Sequence, residues 1–234
     1  MTSIVADVAE LTERIAADFS TEYRRVQALG RRFTVALSGG SVATTFFPRL
    51  ASLALDWSRC DFFWADERAV APDDPESNFG VARKLWFDAA GVPAASIHRM
   101  IAEEHDDLDA AAARYAEILT AIADEPPRLD YVILGVGPDG HVASLFPGHA
   151  LLAETRRSVV GVNDSPKPPP HRLTLTMPVL TSASRVVVSA FGTSKAAVMH
   201  EAIADPRSAL PVAIVLRQAP RALVLLDRAA GQVS

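Results

Sequence analysis

Short apolar runs alternate with longer amphipathic stretches along most of this chain. Apolar side chains recur every three or four residues from Ile4 to Leu29, which predicts one long helix over that stretch. Further helices are predicted at about 42–55, 78–90, 108–124 and 194–204, and strands at 32–37, 60–65, 129–134, 158–162, 172–176, 186–191, 213–216 and 222–226. This alternation predicts an α/β protein with a mostly parallel sheet covered by helices on both faces.

Length and composition favour one domain over residues 1–234. With 234 residues and 49% apolar composition, the chain can bury one substantial core. The formal charge of −5 argues against nonspecific binding to nucleic acid or to anionic lipid. An anionic ligand would therefore have to be met by a local cluster of basic residues, and a small phosphorylated metabolite would fit.

Other compositional features favour a cytoplasmic protein without a membrane span. The N-terminus has no basic flank followed by an apolar core and cleavage site, and no apolar run approaches membrane length. Cys60 is the single cysteine and stands in an apolar run, which indicates buried packing and excludes an intrachain disulfide. The spacing of the six histidines fits no standard zinc pattern, so no metal is expected.

Three polar loops directly follow predicted strands. They are Ser38-Gly39-Gly40-Ser41 after FTVAL, Asp66-Glu67-Arg68 after FFWA, and the turn 135–141 after YVIL. Because the carboxyl ends of parallel strands line one crevice, we expect these loops to surround one ligand.

The turn after YVIL carries the most informative chemistry. Glycines at positions 135, 137 and 140 let the chain turn and leave backbone N–H groups uncovered, and they hold Asp139 and His141 over the crevice. A neutral imidazole can take a proton from water and return it near pH 7 without a metal or cofactor. His141 is therefore the candidate general base.

The loop at 38–41 has two interpretations. Small residues before a helix expose N–H groups and add hydroxyl donors, which is typical of an anion cradle. It is equally typical of a plain strand-to-helix turn with a serine cap. Arg172 and Lys195 would supply positive charge, although each alone is also typical of a solvated surface residue.

The charged loop and the helix after it also have structural alternatives. Three charged residues after an aromatic strand are unusual for a turn, and they could instead form an internal salt bridge that closes it. Ser77 and Asn78 stand at the next helix start, where both residue types cap helices, and Asn78 is also a candidate substrate contact.

Two familiar motifs are matched only in part. Gly135-x-Gly137-x-x-Gly140 has the form of a dinucleotide fingerprint, but Pro138 removes an N–H donor and Asp139 would repel a pyrophosphate. The Gly-x-Ser-x-Ala strings at 39–43 and 192–196 differ from the Gly-x-Ser-x-Gly nucleophile elbow. A serine hydrolase using Ser41 stays open as an alternative.

Five motifs in order give the chain a family resemblance. SGGS, ADERAV followed by SNF, GVGPDGHVASLFPG, SPKPPPHRLTLT and FGTSKAA together span about residues 33–200. This order resembles that of the 6-phosphogluconolactonases of the pentose phosphate pathway. One departure is Val42-Ala43, where Thr-Pro is usual after SGGS.

The resemblance implies a fold, a reaction and a set of site residues. The fold would be a three-layer αβα Rossmann-like domain, and the reaction would be hydrolysis of 6-phospho-D-glucono-1,5-lactone to 6-phosphogluconate without a cofactor. His141 would be the base, and Arg68 would lie beside the substrate. Our mechanistic hypothesis adds that Asp139 orients the histidine or its loop and that Arg68, with glycine N–H groups of the turn, stabilises the oxyanion. The sequence leaves open which basic residue binds the phosphate and which one stabilises the oxyanion. The expected substrate contacts are Ser38, Gly39, Gly40, Ser41, Asp66, Glu67, Asn78, Gly137, Arg172 and Lys195.

The related glucosamine-6-phosphate isomerases are the nearest alternative. Their turn is similar to GxGxDGHxAFNEP, in which an acid after the histidine assists ring opening, whereas this chain has Ala143-Ser-Leu-Phe-Pro147. They also carry Tyr where this chain has Arg68. A noncatalytic sugar-phosphate sensor is a further alternative, and a monomer is expected, with a weak dimer as the other possibility.

Overall fold

A computed structural model describes residues 1–103 and 107–232, and its described strands form two sheets. The strands are β1 (Thr2–Ala6), β2 (Phe33–Leu37), β3 (Cys60–Trp64), β4 (Asp66–Arg68), β5 (Tyr131–Gly135), β6 (Val159–Val162), β7 (Arg172–Leu175), β8 (Arg185–Ala190) and β9 (Ala222–Asp227). The large sheet has the order β1-β9-β8-β5-β2-β3, and all of its pairings are parallel. The prediction of a mostly parallel sheet is confirmed.

Helices cover this sheet and complete a three-layer αβα, Rossmann-like arrangement. They are α1 (Val8–Gln27), α2 (Gly40–Ala51), α3 (Asn78–Ala82), α4 (Asp88–Ala90), α5 (Leu108–Ala123), α6 (Met177–Ser182), α7 (Ala196–Ala204) and α8 (Pro211–Gln218). A π-helical turn, Arg83–Phe87, joins α3 to α4. No helix among the described residues is both long and apolar enough to cross a bilayer. One domain over residues 1–234 stays a prediction.

The small sheet is antiparallel, with the order β4-β7-β6. The sequence predicts strands at 158–162 and 172–176, which is confirmed, but they lie outside the parallel sheet. Asp66-Glu67-Arg68 is a short strand and not a free loop, because it pairs with β7 in a register that sets Arg68 opposite Arg172.

Two further predictions need correction. Ile4 belongs to β1 and not to the first helix, which begins at Val8 after the N-cap Asp7. The apolar run 213–216 is part of α8 and not a strand. Pro211 provides a fixed φ at the first turn of that helix, and a short buried apolar run cannot by itself be assigned to a strand or a helix.

The core lies on the strands that lead to the candidate loops. Every residue of β2 and β3 is buried, and the aromatic rings of Phe19, Phe33, Phe62 and Trp86 pack edge to face at centroid separations between 5.2 and 5.6 Å. Cys60 is buried as expected, and burial raises the pKa of its thiol to about 12. The loops that follow these strands are therefore anchored to a rigid base.

Candidate active site

One cavity of about 270 Å³ lies at the carboxyl ends of β2, β3, β5 and β8. It unites the three loops, as expected for an open parallel sheet. Eleven of the thirteen candidate residues line it: Ser38, Gly39, Gly40, Ser41, Asp66, Arg68, Asn78, Gly137, His141, Arg172 and Lys195. The other two candidates do not line the cavity: Asp139 contacts Nδ1 of His141, and Glu67 is buried.

His141 is held by the acid two residues before it. Its Nδ1 lies 2.5 Å from Asp139 Oδ1, and the ring side chain is 18% exposed. When Nδ1 carries the proton and donates it to the carboxylate, Nε2 keeps a free lone pair. The pair therefore presents a base whose tautomer is fixed by its neighbour.

Burial and charge act in opposite directions on this imidazole. Burial lowers the pKa of His141 below its usual value, the Asp139 carboxylate raises it, and the charge of Lys167 lowers it. Burial also opposes ionisation of Asp139, but His141 and Lys167 bring the pKa of that carboxyl below its usual value. The net result is a neutral imidazole beside an ionised carboxylate near pH 7.

The ring also has close apolar and backbone neighbours. The rings of His141 and Phe146 lie with their centroids 4.7 Å apart. Gly137 N donates to the carbonyl of His141 at 2.9 Å, and Gly140 adopts φ +83°. These contacts fix the turn that carries the base.

The 38–41 loop presents an open helix N-terminus to the cavity. Gly39 is the N-cap of α2 and provides no side-chain acceptor for the first N–H groups of the helix. Ser38 Oγ is buried and has no hydrogen-bond partner among the described residues. Unpaired donors at a helix N-terminus favour an anion, which supports the cradle interpretation.

Gly39 also allows Asn78 to approach. A Cβ on Gly39 would lie 1.9 Å from Asn78 Oδ1, so a larger residue there would have to displace the Asn78 side chain. Asn78 Nδ2 donates to the carbonyl of Asp66 at 2.8 Å. Asn78 thus links the first two loops, whereas Ser77 is the α3 cap, accepting from Gly80 N at 3.0 Å.

The Glu67 carboxylate is bonded to the backbone around it and does not face the cavity. Its carboxylate accepts from the backbone N–H groups of Arg68, Asn78 and Phe79 at 2.7–2.8 Å, and from Ser77 Oγ at 3.2 Å. Burial raises its pKa to about 7, although the three N–H donors act in the opposite direction. This side chain joins β4 to the start of α3 and does not reach the cavity.

Arg68 extends from β4 into the cavity. One guanidinium nitrogen donates to the carbonyl of Glu76 at 2.6 Å and also lies 3.3 Å from its carboxylate. Its Nε is buried without a partner among the described residues. Arg68 therefore pairs with Glu76, and among the described residues it forms no salt bridge inside the 66–68 segment, contrary to the alternative considered from the sequence.

Arg172 is almost completely buried and organises the proline-rich loop, which comprises residues 165–171. Its guanidinium donates to the carbonyl oxygens of Lys167, Pro168 and Pro169 at 2.9–3.1 Å. It also lies 4.0 Å from Asp66 Oδ2. Burial lowers the pKa of Arg172, and the Asp66 charge opposes this shift. The side chain therefore holds the loop against the small sheet.

Two lysines line the cavity, and only one of them follows from the sequence motifs. Lys195 precedes α7, and burial and the charge of Lys167 lower its pKa. Lys167 was not singled out by sequence reasoning. Its Nζ lies 3.2 Å from Asp139 Oδ2. The sequence signal that could have found it is the single cation inside the proline-rich run SPKPPP.

Ser144 is a second residue that sequence reasoning missed. Its hydroxyl donates to Asp66 Oδ2 at 2.8 Å, and its backbone N–H donates to Thr174 Oγ1 at 3.3 Å. It ties the turn that carries His141 to β4 and β7.

Over residues 1–103 and 107–232, no three His, Cys, Asp or Glu side chains are grouped closely enough to hold a metal ion.

Comparisons with known proteins agree on one family. The family profile described as glucosamine-6-phosphate isomerases/6-phosphogluconolactonase matches residues 6–224. A 6-phosphogluconolactonase of Streptomyces coelicolor is 39% identical over 94% of this chain and 89% of its own length. One from Mycobacterium tuberculosis is 40% identical over 88% and 86%, respectively.

A solved structure supports the same fold. The 6-phosphogluconolactonase from Trypanosoma cruzi superimposes with a TM-score of 0.87 at 27% identity, and the match covers 98% of this chain and 95% of that one. The prediction of a Rossmann-like αβα protein is confirmed.

Proposed function

The chain belongs to the glucosamine-6-phosphate isomerase/6-phosphogluconolactonase family, and we propose that it is an enzyme that hydrolyses 6-phospho-D-glucono-1,5-lactone to 6-phospho-D-gluconate. Curated relatives at 39–40% identity carry that name. The observation that carries the proposal is the joining of a His–Asp pair and an uncapped helix N-terminus in one cavity. The first suits attack on a carbonyl, and the second suits a phosphate.

Water is the nucleophile in the reaction we propose. Nε2 of His141 takes a proton from water while the water oxygen forms a bond to the lactone carbonyl carbon. The tetrahedral intermediate then collapses, the bond from that carbon to the ring oxygen breaks, and the imidazolium returns its proton to the departing oxygen. A δ-lactone is an activated ester, so no covalent enzyme intermediate is required.

Asp139 supports this cycle without leaving its position. It accepts the Nδ1 proton of His141 throughout and stabilises the imidazolium that forms when Nε2 is protonated. Because burial lowers the pKa of His141, the ring is neutral and ready to act at pH 7. These features support the role of general base.

The negative charge that develops on the carbonyl oxygen needs a donor. Arg68 lines the cavity, and its Nε has no hydrogen-bond partner among the described residues. Removal of one such donor from an oxyanion site costs about 3 kcal/mol of transition-state stabilisation. We therefore propose Arg68 as the principal oxyanion donor.

The phosphate is proposed to bind at the start of α2. Gly40, Ser41 and Ser38 bring N–H and hydroxyl donors there, and Lys195 adds positive charge at the same cavity. Binding the phosphate at one end fixes the position of the carbonyl at the other, which lowers the entropic cost of reaching the transition state.

The isomerase alternative is less well supported at the histidine turn. Position 143 is alanine with φ +50°, and the next side chain, Ser144, is bonded to Asp66. The turn thus offers no carboxylate beyond Asp139 to assist opening of an aminosugar ring. Release of ammonia from glucosamine 6-phosphate would favour that alternative.

The decisive assay measures acid release from freshly prepared lactone above its spontaneous hydrolysis. Wild-type protein should accelerate hydrolysis, and H141N should lower kcat by about 10²- to 10⁴-fold while KM changes little. H200N, at an exposed position of α7, is the matched control and should keep wild-type turnover. No acceleration by wild type would favour the noncatalytic sensor.

The serine alternative is tested in the same assay. S41A should retain most of kcat, because Ser41 is proposed to bind phosphate and not to attack the carbonyl. Loss of turnover comparable to that of H141N would favour the serine hydrolase. We further propose that the enzyme acts in the cytoplasm, as a monomer, on a free phosphorylated sugar lactone.

A further inference from the structure

The chain uses lysine sparingly, and most of its lysine lies at the cavity. Of 23 basic residues, only Lys84, Lys167 and Lys195 are lysines, and the last two line the site. Lys84 is exposed in the π-helical turn. A lysine ammonium is a compact point charge, unlike the broad fork of an arginine, and can sit beside a single carboxylate oxygen.

Lys167 contacts Asp139, the acid that in turn contacts the proposed base His141. Its Nζ lies 3.2 Å from Asp139 Oδ2, while the other oxygen, Oδ1, contacts His141 Nδ1 at 2.5 Å. The carboxylate thus divides its two oxygens between a cation and the imidazole. A rotation of Asp139 that improved one contact would weaken the other.

The lysine extends from a fixed backbone. The carbonyl of Lys167 accepts from Ser165 Oγ at 2.8 Å and from Arg172 Nη2 at 3.0 Å, and Ser165 N donates to the carbonyl of Pro170 at 3.1 Å. Exposed ion pairs usually contribute little because ordering long side chains costs entropy. Here both partners are 37% exposed, but their backbones are already ordered by the loop and the turn.

The charges that face His141 come from three separate elements. Asp139 belongs to its own turn, Asp66 to β4, and Lys167 to the proline-rich loop. Lys195, before α7, in turn faces Lys167 and Asp139. Lys167 is the cation whose charge opposes that of Asp139 at the imidazole.

We propose that Lys167 is a positioning residue that holds Asp139 in place and thereby fixes the imidazole of His141 for proton transfer. This inference rests on the proposed function, because it assumes that His141 is the base. Lys167 also disfavours a second positive charge nearby, so the ring stays neutral to a lower pH than it would beside Asp139 alone.

Two separable effects of K167Q follow. Loss of the cation should raise the pKa of His141, so the acidic limb of the kcat/KM–pH profile should move up by about 0.5–1 pH unit. A less constrained Asp139 should also lower kcat about three- to tenfold at pH 8, where the ring is neutral. K167R keeps the positive charge and should therefore have nearly the acidic limb and the kcat of wild type.

The fold should be little affected, since exposed ion pairs contribute little to stability. K167Q should melt within about 2 °C of wild type. K84Q removes the one lysine outside the cavity and is the matched control, with the pH profile and kcat of wild type. A large fall in the melting temperature of K167Q with no change in the acidic limb would indicate a structural role and overturn the inference.

A double-mutant cycle tests whether the effect passes through Asp139. In the D139N background, K167Q should cause no further loss of kcat at pH 8. An equal loss in both backgrounds, or a rise in KM with no change in kcat, would mean that Lys167 acts directly on substrate, and the inference would fail.

An NMR titration of the His141 ring separates this inference from the lactonase proposal. The ring should titrate at higher pH in K167Q than in wild type, whether or not lactone is hydrolysed. If wild type proves inactive but the ring still shifts, the proposed function fails while the contact is upheld. If wild type is active and the ring does not shift, the role of Lys167 is wrong.

Discussion

The imidazole of His141 occupies the space that a side chain at Gly137 would need. A Cβ on Gly137 would lie 2.0 Å from both Cε1 and Nδ1 of the ring and 2.6 Å from Asp139 Oδ1. No real contact is that short, so any side chain here must displace the base or its acid. The glycine is required by the position of the His141 ring and not by a left-handed backbone.

G137A should therefore remove activity. A displacement of the ring by about 1 Å should cost about 100-fold in kcat. The comparison is G91A, which puts a methyl group at φ +63° in open space and should cost about 1–2 kcal/mol of stability without changing kcat. Steady-state kinetics and urea unfolding of both variants check the contrast. Wild-type kcat in G137A would mean that the ring position is unimportant.

R172K should loosen the proline-rich loop. Lysine keeps the charge near Asp66, but its single nitrogen cannot occupy the positions of both Nε and Nη2, which together bond the carbonyl oxygens of Lys167, Pro168 and Pro169. We expect a loss of about 1–3 kcal/mol in the free energy of unfolding and faster proteolysis at 165–170. R157K, at an exposed ion pair, is the control and should cost less than about 1 kcal/mol. Equal losses in the two variants would contradict the role of Arg172.

Glu67 should make stability depend on pH. Its folded-state pKa is raised from 4.5 to about 7, so the folded protein binds more protons than the unfolded chain between these values. The stability contributed by this group is fully present below about pH 4.5 and is lost as the pH rises through about 7. The difference in unfolding free energy between wild type and E67Q should therefore fall by about 2–3 kcal/mol from pH 5 to pH 8.

Urea unfolding at several pH values measures that difference. E117Q, which removes an exposed carboxylate from α5, tests whether loss of charge alone gives the trend. A difference that is independent of pH would show that Glu67 remains ionised over this range, stabilised by its N–H donors.

Cys60 should be unreactive in the folded protein. Its thiol is buried in β3 with a pKa of about 12, so almost no thiolate is present at pH 8. An aromatic disulfide reagent should label it at least about 100-fold more slowly in native protein than in urea. It is the single cysteine, so labelling reports on one site. Rapid native labelling would show that this strand opens.

The parts of the site that depend on local sequence were predictable. Strand β5, its glycine turn and the placement of His141 follow from an apolar run that ends in small residues. The SGGS loop likewise follows from the end of β2 and the start of α2. Parallel topology then brings these loops into one cavity, because all the strands of the large sheet end on the same side.

The parts of the site that depend on long-range pairing could not be predicted from the sequence. Strand β4 has three residues, too few to show alternation, and it exists because it pairs with β7 more than a hundred positions later. The contact of Lys167 with Asp139 depends on the loop path that buried Arg172 imposes. Glu67 was expected to contact substrate together with Asp66 and Arg68, but alternate side chains of a strand point to opposite faces, and only Asp66 and Arg68 line the cavity.

Ala65 lies where the chain passes from the large sheet to the small one. Its N–H donates to Leu37 and its carbonyl accepts from Leu175, both at 2.8 Å. Asp66, Arg68 and Arg172 thus belong to the small sheet, while Asp139 and His141 follow β5 of the large sheet. Directed evolution could accordingly vary positions of the small sheet other than Arg68 to change ligand preference, while the proposed base and its acid stay on a turn that need not change.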